Sequence, residues 1–261
     1  MIDISIIVLV YNQENYIHQC VKSVLDQKFD GVYEIIIFDD CSTDSTSSIL
    51  NKIHDRYENI RLFKNNSNIG LSKNYQKAIL KSKGKYIAYL EGDDYWTDPL
   101  KIQKQFDALE RHRDYVLAFH DFVFVDKDSK VIDTSNFYND SLKKNRAKKD
   151  MIRGCLIHQN TIIFRNVFRD LPIWFFKAKN HDTWLLAFLS NWGKALYVEC
   201  SPLHYRIIGN SLWSSLSSLK KHYNGFVTSL MIYPVIPIKF YPVLLRKTLS
   251  KIYQMIKASF K

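Results

Sequence analysis

Cysteine is scarce in this chain of 261 residues, and the spacing of the cysteines carries no motif. Cys20, Cys41, Cys155 and Cys200 are widely separated, and no two of them form a CxxC pair. Disulfide frameworks and structural zinc sites are recognised by closely spaced cysteines, so the sequence points to neither. We expect four reduced thiols.

The amino terminus lacks the features of a secretory signal. Residues 1–12, MIDISIIVLVYN, contain no basic region and no cleavage site, and their apolar run is only as long as a strand. We therefore expect a cytoplasmic protein.

Glycine is missing where common nucleotide-binding loops need it. No GxGxxG follows an apolar run, which argues against a dinucleotide-dependent dehydrogenase. The stretch VYNQENY at residues 10–16 has no glycine, whereas a nucleotidyltransferase would need a glycine-rich basic loop there. No RNA-binding motif or alternation of aromatic and basic residues occurs, so the sequence does not support a nucleic-acid-binding module.

Apolar residues and positive charge, in contrast, are plentiful. Hydrophobic residues make up 46% of the chain, which is enough to bury a substantial core. Lysine and arginine number 37 against 26 acidic residues, so the formal net charge is +11. This balance favours anionic partners, such as nucleotides or acidic lipids.

Short apolar runs alternate with longer polar segments along the first half of the chain. Because the runs are continuous in Ile and Val, we expect strands covered on both faces, in an α/β fold with a mostly parallel central sheet and helices on each side. The predicted strands are 4–10, 33–38, 59–63, 85–90, 115–126, 130–134, 194–199 and 204–208, with a turn between 115–126 and 130–134. The predicted helices are 15–27, 43–57, 71–83, 97–112 and 181–191, and residues 139–150 are predicted to form a basic loop.

The carboxyl-terminal part predicts an amphipathic appendage. Residues 226–238 form a charge-free run of thirteen residues that is too short and too rich in proline to span a membrane. The residues that follow predict a helix that packs on its own domain, on a partner or on an anionic membrane surface. Its apolar stripe, within an arc of about 80°, is Leu245, Leu249, Ile252, Ile256 and Phe260, and Lys247, Lys251, Lys257 and Lys261 lie opposite.

Carboxylates follow two of the predicted strands. Asp39 and Asp40 follow the second strand, and Glu91, Asp93 and Asp94 follow the fourth. Ligands bind beyond the carboxyl ends of the strands in an open parallel sheet, so we expect both groups in one crevice. Their repulsion calls for a cation or raised pKa values, and oxygen ligands suit Mg²⁺ or Mn²⁺ bound with substrate phosphates. Polar turns with capping roles are the alternative interpretation.

Three segments in order resemble the amino-terminal half of glycosyltransferase family 2. They are SIIVLVYNQENYIHQCVKSVLDQ (5–27), EIIIFDDCSTDST (34–46) and NIGLSKNYQKAILKSKGKYIAYLEGDDYW (68–96). The resemblance is close over residues 3–112 and looser to about residue 215. It implies a GT-A type domain, Rossmann-like, over residues 1–222, with a nucleotide-sugar half at 1–112, an acceptor-side half at 113–222 and a tail at 223–261.

The resemblance also implies roles for residues near the nucleotide. Tyr11 would pack beside the base, Asp40 with Asp39 would read the uracil and the ribose, and Lys73 would lie near the base. Further contacts with the nucleotide sugar are implied for Leu9, Asn12 and Asn68.

The EGDD stretch, residues 91–94, resembles the acidic metal-binding motif of the family. Asp93 is the implied direct ligand of Mn²⁺ or Mg²⁺. Glu91 and Asp94 would support it or touch the ribose and the donor sugar, and Gly92 would lie against the donor.

Two later segments carry a looser resemblance. NHDTWLLAFL (180–189) is similar to a helix that an acidic residue opens in the family, which makes Asp182 the implied general base; a helix N-cap is the alternative role. In HYRIIGNSLWS (204–214), Ile208 stands where the family often has a histidine. Isoleucine cannot ligate a metal, so either His204 substitutes from a shifted position or phosphates and water fill the coordination sphere. A packed, hydrogen-bonded histidine is the favoured expectation for His204.

Together these features predict an inverting, metal-dependent glycosyltransferase of the hexosyltransferase type. It would move a sugar from a UDP-sugar to the hydroxyl of a glycan or a lipid-linked glycan, in bacterial-type cell-surface polysaccharide or glycolipid synthesis. Contact with an anionic membrane surface would make it peripheral on the cytoplasmic face. The alternatives are a non-catalytic nucleotide-sugar-binding module and a nucleotidyltransferase on a similar scaffold.

Overall fold

A computed structural model describes residues 1–132, 143–168, 170–208 and 216–259. Several predicted features lie partly outside these residues. They are the end of the predicted strand 130–134, residues 139–142 of the predicted basic loop, residues 209–214 of the family-like segment 204–214, and Phe260 and Lys261 of the predicted terminal helix.

The first half alternates strands and helices as predicted, and each strand lies within one residue of its predicted bounds. The helices end earlier than predicted because the polar residues at their ends form loops. The elements are β1 (Ile4–Val10), α1 (Ile17–Leu25), β2 (Tyr33–Asp39), α2 (Thr46–His54), β3 (Ile60–Lys64), α3 (Leu71–Lys81), β4 (Tyr86–Glu91) and α4 (Lys101–Arg111).

The second half contains shorter elements. Strand β7 and helices α5, α6 and α8 are not evident from the sequence pattern. The elements are β5 (Tyr115–Phe119), β6 (Phe122–Val125), α5 (Lys148–Arg153), β7 (Ile163–Arg165), α6 (Ile173–Lys177), α7 (His181–Leu189), β8 (Lys194–Tyr197), β9 (Leu203–Arg206), α8 (Ser218–Ile232) and α9 (Tyr241–Ser259), with single 3₁₀ turns at 159–161, 233–235 and 238–240.

Seven strands form one mixed, mostly parallel sheet in the order β3-β2-β1-β4-β7-β5-β8. Strand β7 is antiparallel to both of its neighbours, whereas every other pair in the sheet is parallel. Strands β6 and β9 form a separate parallel pair. The predicted α/β fold with a mostly parallel sheet is confirmed.

Two core layers cover the faces of the sheet, because successive side chains of a strand point to opposite faces. Ile6 and Val8 of β1 belong to the layer that packs with α1, α2 and α4. Ile7 and Leu9 belong to the other layer, which packs with α3 and with the helices of the second half, including Leu244 of α9.

Helix α9 packs on the domain through a face that differs from its predicted apolar stripe. Leu244 is fully buried and Thr248 is 6% exposed, whereas Leu245, next to Leu244, is 50% exposed. Lys247 also turns inward, and its Nζ donates to the main-chain oxygen of Ile152 in α5 at 3.3 Å. Docking therefore leaves the apolar stripe uncovered by the described residues.

The boundary predicted between residues 222 and 223 falls inside α8. Thr228 of this helix is fully buried, and its hydroxyl accepts hydrogen bonds from the main chain at Lys179 and Asn180, at 3.1 and 3.0 Å. The division of the chain at this point stays a prediction.

The buried face of α9 predicts unequal effects for two adjacent leucines. Leu244→Ala should lower the free energy of unfolding by about 2–4 kcal/mol because it opens a cavity in the core. Leu245→Ala should cost no more than about 0.5 kcal/mol because half of the side chain is already exposed. Urea unfolding of both variants tests this, and equal losses would show that α9 does not dock through Leu244.

Candidate active site

The carboxyl ends of β1, β2 and β4 lie side by side at one edge of the sheet. Val10 of β1 is opposite Asp39 of β2, and Leu9 is opposite Glu91 of β4. The chain continues from β1 to β2 and β3 on one side, and returns as β4 on the other side. Strand β1 is therefore a switch point, where open α/β sheets bind ligands. Both acidic groups predicted from the sequence meet at this edge.

Glu91, Asp93 and Asp94 form a compact acidic cluster. One carboxylate oxygen from each residue lies within 4.8 Å of the other two. Burial, reinforced by the charge of Asp93, raises the pKa of Glu91 to about 7. Burial also raises the pKa of Asp93, and burial with the charges of Asp93 and Glu91 raises that of Asp94 well above its usual range. Ionising all three without a cation is therefore unfavourable.

Two segments from distant parts of the chain hold this cluster. The amide nitrogen of Asn160 donates to one oxygen of Asp94, and the main-chain N–H of Arg206 donates to the other at 2.8 Å. The Nε of Arg206 donates to the main-chain oxygen of Asp93 at 2.9 Å, and the guanidinium lies 4.5 Å from the centre of the Tyr16 ring. The turn at 159–161 and strand β9 thus fix the acidic loop.

The donor atoms of the cluster fit a hard divalent cation. All three are carboxylate oxygens, which are the ligands that Mg²⁺ and Mn²⁺ prefer. The Oδ1 atom of Asn160, next to the nitrogen that contacts Asp94, is buried and has no hydrogen-bond partner among the described residues. Glu91, Asp93 and Asp94 are the residues that would hold the ion.

Asp39 and Asp40 brace the loops of the crevice from within. Asp39 is 1% exposed and accepts hydrogen bonds from the main chain and the hydroxyl of Ser42, at 2.9 and 2.5 Å. Asp40 is 3% exposed and accepts from the amide of Asn65 at 2.8 Å and from the main chain of Gly70 at 2.9 Å. Contact of either residue with a base or a ribose stays a prediction.

Three residues implied in nucleotide binding lie at the end of β1. Leu9 is buried in the core, while Tyr11 is 44% exposed beyond the strand. Asn12 has a φ of 53°, and its Oδ1 accepts from the main-chain N–H of Thr43 at 2.8 Å. This bond joins the loop after β1 to the loop after β2.

The remaining donor-side residues border the same edge. Asn68 and Lys73 are exposed around the start of α3, and the Oδ1 of Asn68 accepts from the main chain of Gly70 at 3.1 Å. Gly92 is buried within the acidic loop, where an added Cβ would lie 3.3 Å from the side chain of Val10. Their roles toward a donor stay predictions.

Asp182 is an exposed carboxylate in the first turn of α7. The cap of this helix is Asn180, so the alternative that Asp182 is the N-cap is wrong. Nothing in the described ranges donates a side-chain hydrogen bond to its carboxylate. Burial raises the pKa of Glu91 most, the charge of Asp93 raises it next, and the charge of Asp182 raises it further. Asp182 therefore lies within electrostatic reach of the acidic cluster.

A hydrogen bond joins the first turns of α7 and α3. The Nε2 atom of His181 lies 2.7 Å from the hydroxyl of Ser72. Asp182 and Lys73 are the next residues along the two helices. The contact therefore brings the helix of the implied base against the helix that borders the donor edge.

His204 is a packed, hydrogen-bonded histidine, as expected. Its Nδ1 lies 2.7 Å from the hydroxyl of Tyr95, and the two ring centres are 4.9 Å apart. Ile208 is half-buried and has no ligand atom.

Sequence reasoning did not identify Asn160, Arg206 or His158. His158 is half-buried, its Nδ1 accepts from the main chain of Asn160 at 3.3 Å, and its ring centre lies 4.5 Å from that of Tyr205. The letters HQN at 158–160 carry no spacing signal. Arg206, in contrast, lies in the segment 204–214 that resembles the family. Because three acidic residues need a positive partner, a basic residue in this segment could have been identified as a candidate.

Comparison with known families decides the classification. The model of Glycosyl transferase family 2 matches residues 5–172, more than half of the chain. The chain belongs to glycosyltransferase family 2. TuaG of Bacillus subtilis, named for teichuronic acid biosynthesis, is 30% identical over 213 residues, which cover 81% of this chain and 82% of TuaG.

A second relative of this family 2 glycosyltransferase is WfaP of Escherichia coli. WfaP is named as a UDP-Glc:alpha-D-GlcNAc-diphosphoundecaprenol beta-1,3-glucosyltransferase, and is 30% identical over 210 residues, 80% of this chain and 79% of WfaP. The chain spans about half the length of mycobacterial relatives that it matches with 33% identity, since the aligned part is 49% of those proteins.

Solved structures confirm the GT-A fold of this family 2 glycosyltransferase. S. aureus TarS in complex with UDP-GlcNAc matches 98% of this chain and 79% of the TarS chain, with a TM-score of 0.69 and 17% identity. The mannosyltransferase PcManGT from Pyrobaculum calidifontis, in complex with GDP-Man and Mn²⁺, matches 98% of this chain and 72% of its own, with a TM-score of 0.70 and 13% identity.

The crowded carboxylates predict a stabilising substitution. In EDTA, Glu91→Gln should raise the melting temperature at pH 8, because it removes a charge that the folded state disfavours. As pH rises from about 4.5 to about 7, the wild-type protein should lose more stability than the variant. The reason is that Glu91 keeps its proton in the folded state over this range but loses it in the unfolded state. A gain of several degrees is expected, at about 2–4 °C per kcal/mol.

Mn²⁺ should raise the melting temperature of Glu91→Gln less than that of the wild type, because the variant offers the ion one carboxylate fewer. The exposed Glu58→Gln is the matched control and should behave as the wild type in both tests. Thermal melts over pH 4–8, with EDTA and with Mn²⁺, measure all three proteins. A Glu91→Gln protein that is less stable at pH 8 in EDTA, or that gains as much from Mn²⁺, would contradict the account.

Proposed function

We propose that this protein transfers a sugar from a UDP-sugar to an acceptor hydroxyl, with inversion at the anomeric carbon. One observation carries the proposal: three crowded carboxylates at the switch point of a GT-A sheet, with the exposed carboxylate of Asp182 within electrostatic reach of them. The three crowded carboxylates suit the diphosphate side of a donor, and the carboxylate of Asp182 suits a general base. A binding module would not need Asp182, and a nucleotidyltransferase would not need a base placed on the acceptor side.

The donor would lie along the carboxyl ends of β1, β2 and β4. Tyr11 is exposed at this edge and offers a ring for the uracil, and Lys73 offers a positive charge nearby. Asp39 and Asp40 would act mainly by fixing the loops that receive the base and the ribose, because their carboxylates already bind those loops.

Glu91, Asp93 and Asp94 would hold Mn²⁺ or Mg²⁺ beside the donor diphosphate, with Asp93 as the direct ligand. When bound, the ion neutralises the charge that builds up on the leaving UDP. Asn160 and Arg206 keep the carboxylates in place through their bonds to the acidic loop. The chain would thus provide a rigid binding site for the leaving UDP.

Asp182 would remove the proton from the acceptor hydroxyl as that oxygen attacks the anomeric carbon. Inversion requires the base and the leaving UDP on opposite sides of the sugar ring. Asp182 belongs to α7, whereas the acidic cluster belongs to β4 and the loop after it, so the two carboxylate groups are on separate elements. Its carboxylate is exposed and accepts no hydrogen bond from the described side chains, so an acceptor hydroxyl can reach it.

The acceptor would be a glycan or a lipid-linked glycan of a bacterial-type cell surface. Two relatives support this class: TuaG is named for teichuronic acid biosynthesis, and the name of WfaP specifies a sugar linked to diphosphoundecaprenol. Both alignments cover about four fifths of this chain, including α7 and its surroundings. The sugar and the linkage are open.

The exposed stripe of α9, defined as Leu245, Leu249, Ile252 and Ile256, would rest on an anionic membrane surface. These side chains are 37–54% exposed although the helix is docked. The exposed Lys257 lies about 80° from the edge of the stripe at 100° per residue, and suits acidic lipid headgroups. None of the described helices is long and apolar enough to cross a bilayer.

Asp182→Asn tests the catalytic role. The amide keeps the size of the side chain but cannot accept the proton, so kcat should fall by about 10² to 10⁴ with the Kd for UDP nearly unchanged. Asp170→Asn is the matched control, because Asp170 is an exposed acid that accepts a hydrogen bond from Gln76 at 3.1 Å. Single-turnover transfer and UDP titration measure both. Normal transfer by Asp182→Asn would rule it out as the base.

Leu249→Ser/Ile256→Ser tests the membrane contact. Losing two apolar side chains from the interface should weaken binding to vesicles of anionic phospholipid by at least about tenfold. Leu80→Ser, at a side chain in α3 that is 53% exposed, should have no effect. Co-sedimentation with vesicles gives the partition coefficients. Equal binding by the wild type, the stripe variant and the Leu80→Ser control would show that the stripe does not contact the membrane.

A further inference from the structure

A cationic cavity lies beside the first turn of α7. Its volume is about 560 Å³, and its walls come from α8, α9, the first turn of α7 with the residue before it, and the end of α5 with the residues that follow. Four cations line it, Arg153, Arg246, Lys247 and Lys251, and no carboxylate does. Its size falls within the range of small-molecule sites.

The acidic residues that the structure describes compensate the four cations only in part: the charge of Asp182 acts on Lys247 but forms no ion pair with it. No ion pair involves any of them, and the one side-chain hydrogen bond among them joins Lys247 to the main chain of α5. Burial, followed by the charge of Lys251, lowers the pKa of Lys247 to about 8. Holding like charges together in this way is unfavourable unless an anion compensates them.

Two glycines make room for the lysines. A Cβ at Gly225 would lie 3.0 Å from Cε of Lys251, which is closer than most carbon contacts. Gly154 has a φ of 94°, and a Cβ there would lie 3.4 Å from Nζ of Lys247. A side chain at Gly225 would press on Lys251, whereas at Gly154 the positive φ, rather than a lack of space, disfavours a side chain.

The amino terminus of α7 adds to the positive potential of the cavity. Asn180 and Thr183, on either side of the first turn, line it. The side chain of Asn180 makes no capping bond, and the first N–H groups of a helix lack partners within the helix. A helix of nine residues with an open first turn attracts anions at that end.

The cavity adjoins Asp182 but is separate from the donor edge. Thr183 follows Asp182 in α7, and the charge of Asp182 acts on Lys247. No lining residue comes from β1 to β4 or from the loops that follow them. An anion in the cavity would therefore lie on the side of the implied base, away from the seat of the donor diphosphate.

We infer that this cavity binds a phosphate or diphosphate group of the acceptor and so places the acceptor hydroxyl beside Asp182. The inference rests on the proposed function, because it assigns the cavity to the acceptor of that reaction. The charged group could belong to a free sugar phosphate or to a lipid-linked sugar. The stripe on the outer face of α9 suits the lipid-linked form, since the helix that supplies three of the four cations also carries that stripe.

Arg246→Gln/Lys251→Gln removes two of the cations and tests the site. In EDTA, isothermal titration with inorganic pyrophosphate should give a Kd at least about tenfold weaker than for the wild-type protein, because charge-assisted hydrogen bonds are lost. Lys28→Gln/Lys239→Gln, which removes two exposed cations outside the cavity, is the matched control and should bind as the wild type does. Melting temperatures check that both variants fold.

Geranyl diphosphate distinguishes the two sources of the anion. Tighter binding than pyrophosphate, lost in Leu249→Ser/Ile256→Ser, supports a lipid-linked acceptor; equal binding of both probes supports a free phosphorylated acceptor. Pyrophosphate affinity that is the same in the wild type, the cavity variant and the control would overturn the inference.

UDP binding in Mn²⁺ is measured on the same proteins. If the cavity variant binds both UDP and pyrophosphate as the wild type does, the inference about the cavity fails while the proposed function stands. If the wild type binds no UDP, the proposed function fails instead.

Discussion

Mutual repulsion among three carboxylates at the end of β4 is the constraint on which this structure depends. Glu91, Asp93 and Asp94 lie within a few ångströms of one another at the end of a buried strand. Burial raises the pKa of all three, and the neighbouring carboxylates raise those of Glu91 and Asp94 further. Asn160 and Arg206 hold the loop from the far half of the chain, and the charge of Arg206 offsets only part of the effect of burial on Asp93. The protein keeps a strained anionic site, as expected where a cation and a diphosphate complete the charge balance.

Opposite charges are thus segregated in two separate parts of the molecule. The strand ends supply negative charge, while α5, α8 and α9 enclose a cavity lined by cations and by no carboxylate. Asp182 lies between these regions, and its charge influences both Glu91 and Lys247. This arrangement suits a reaction in which a cation-bound diphosphate leaves on one side and an anionic acceptor arrives on the other.

The sequence predicts the donor half well because that half follows local rules. Continuous Ile and Val runs define β1 to β4, and the rule that parallel strands end at one edge brings Asp39 and Glu91 together before any coordinates are known. Strand β7, with three residues, is missed because its place depends on antiparallel pairing with β4 and β5. In α9 the periodicity identifies the stripe but not the docking face at Leu244, which the α5 and α8 surfaces determine.

A crystal structure of the protein with UDP and Mn²⁺ tests the central claim most directly. Data collected at the manganese absorption edge should show an anomalous peak within coordination distance of an oxygen of Asp93, beside the diphosphate of UDP at the end of β4. Manganese bound elsewhere, or UDP bound away from the Glu91, Asp93 and Asp94 cluster, would contradict the account.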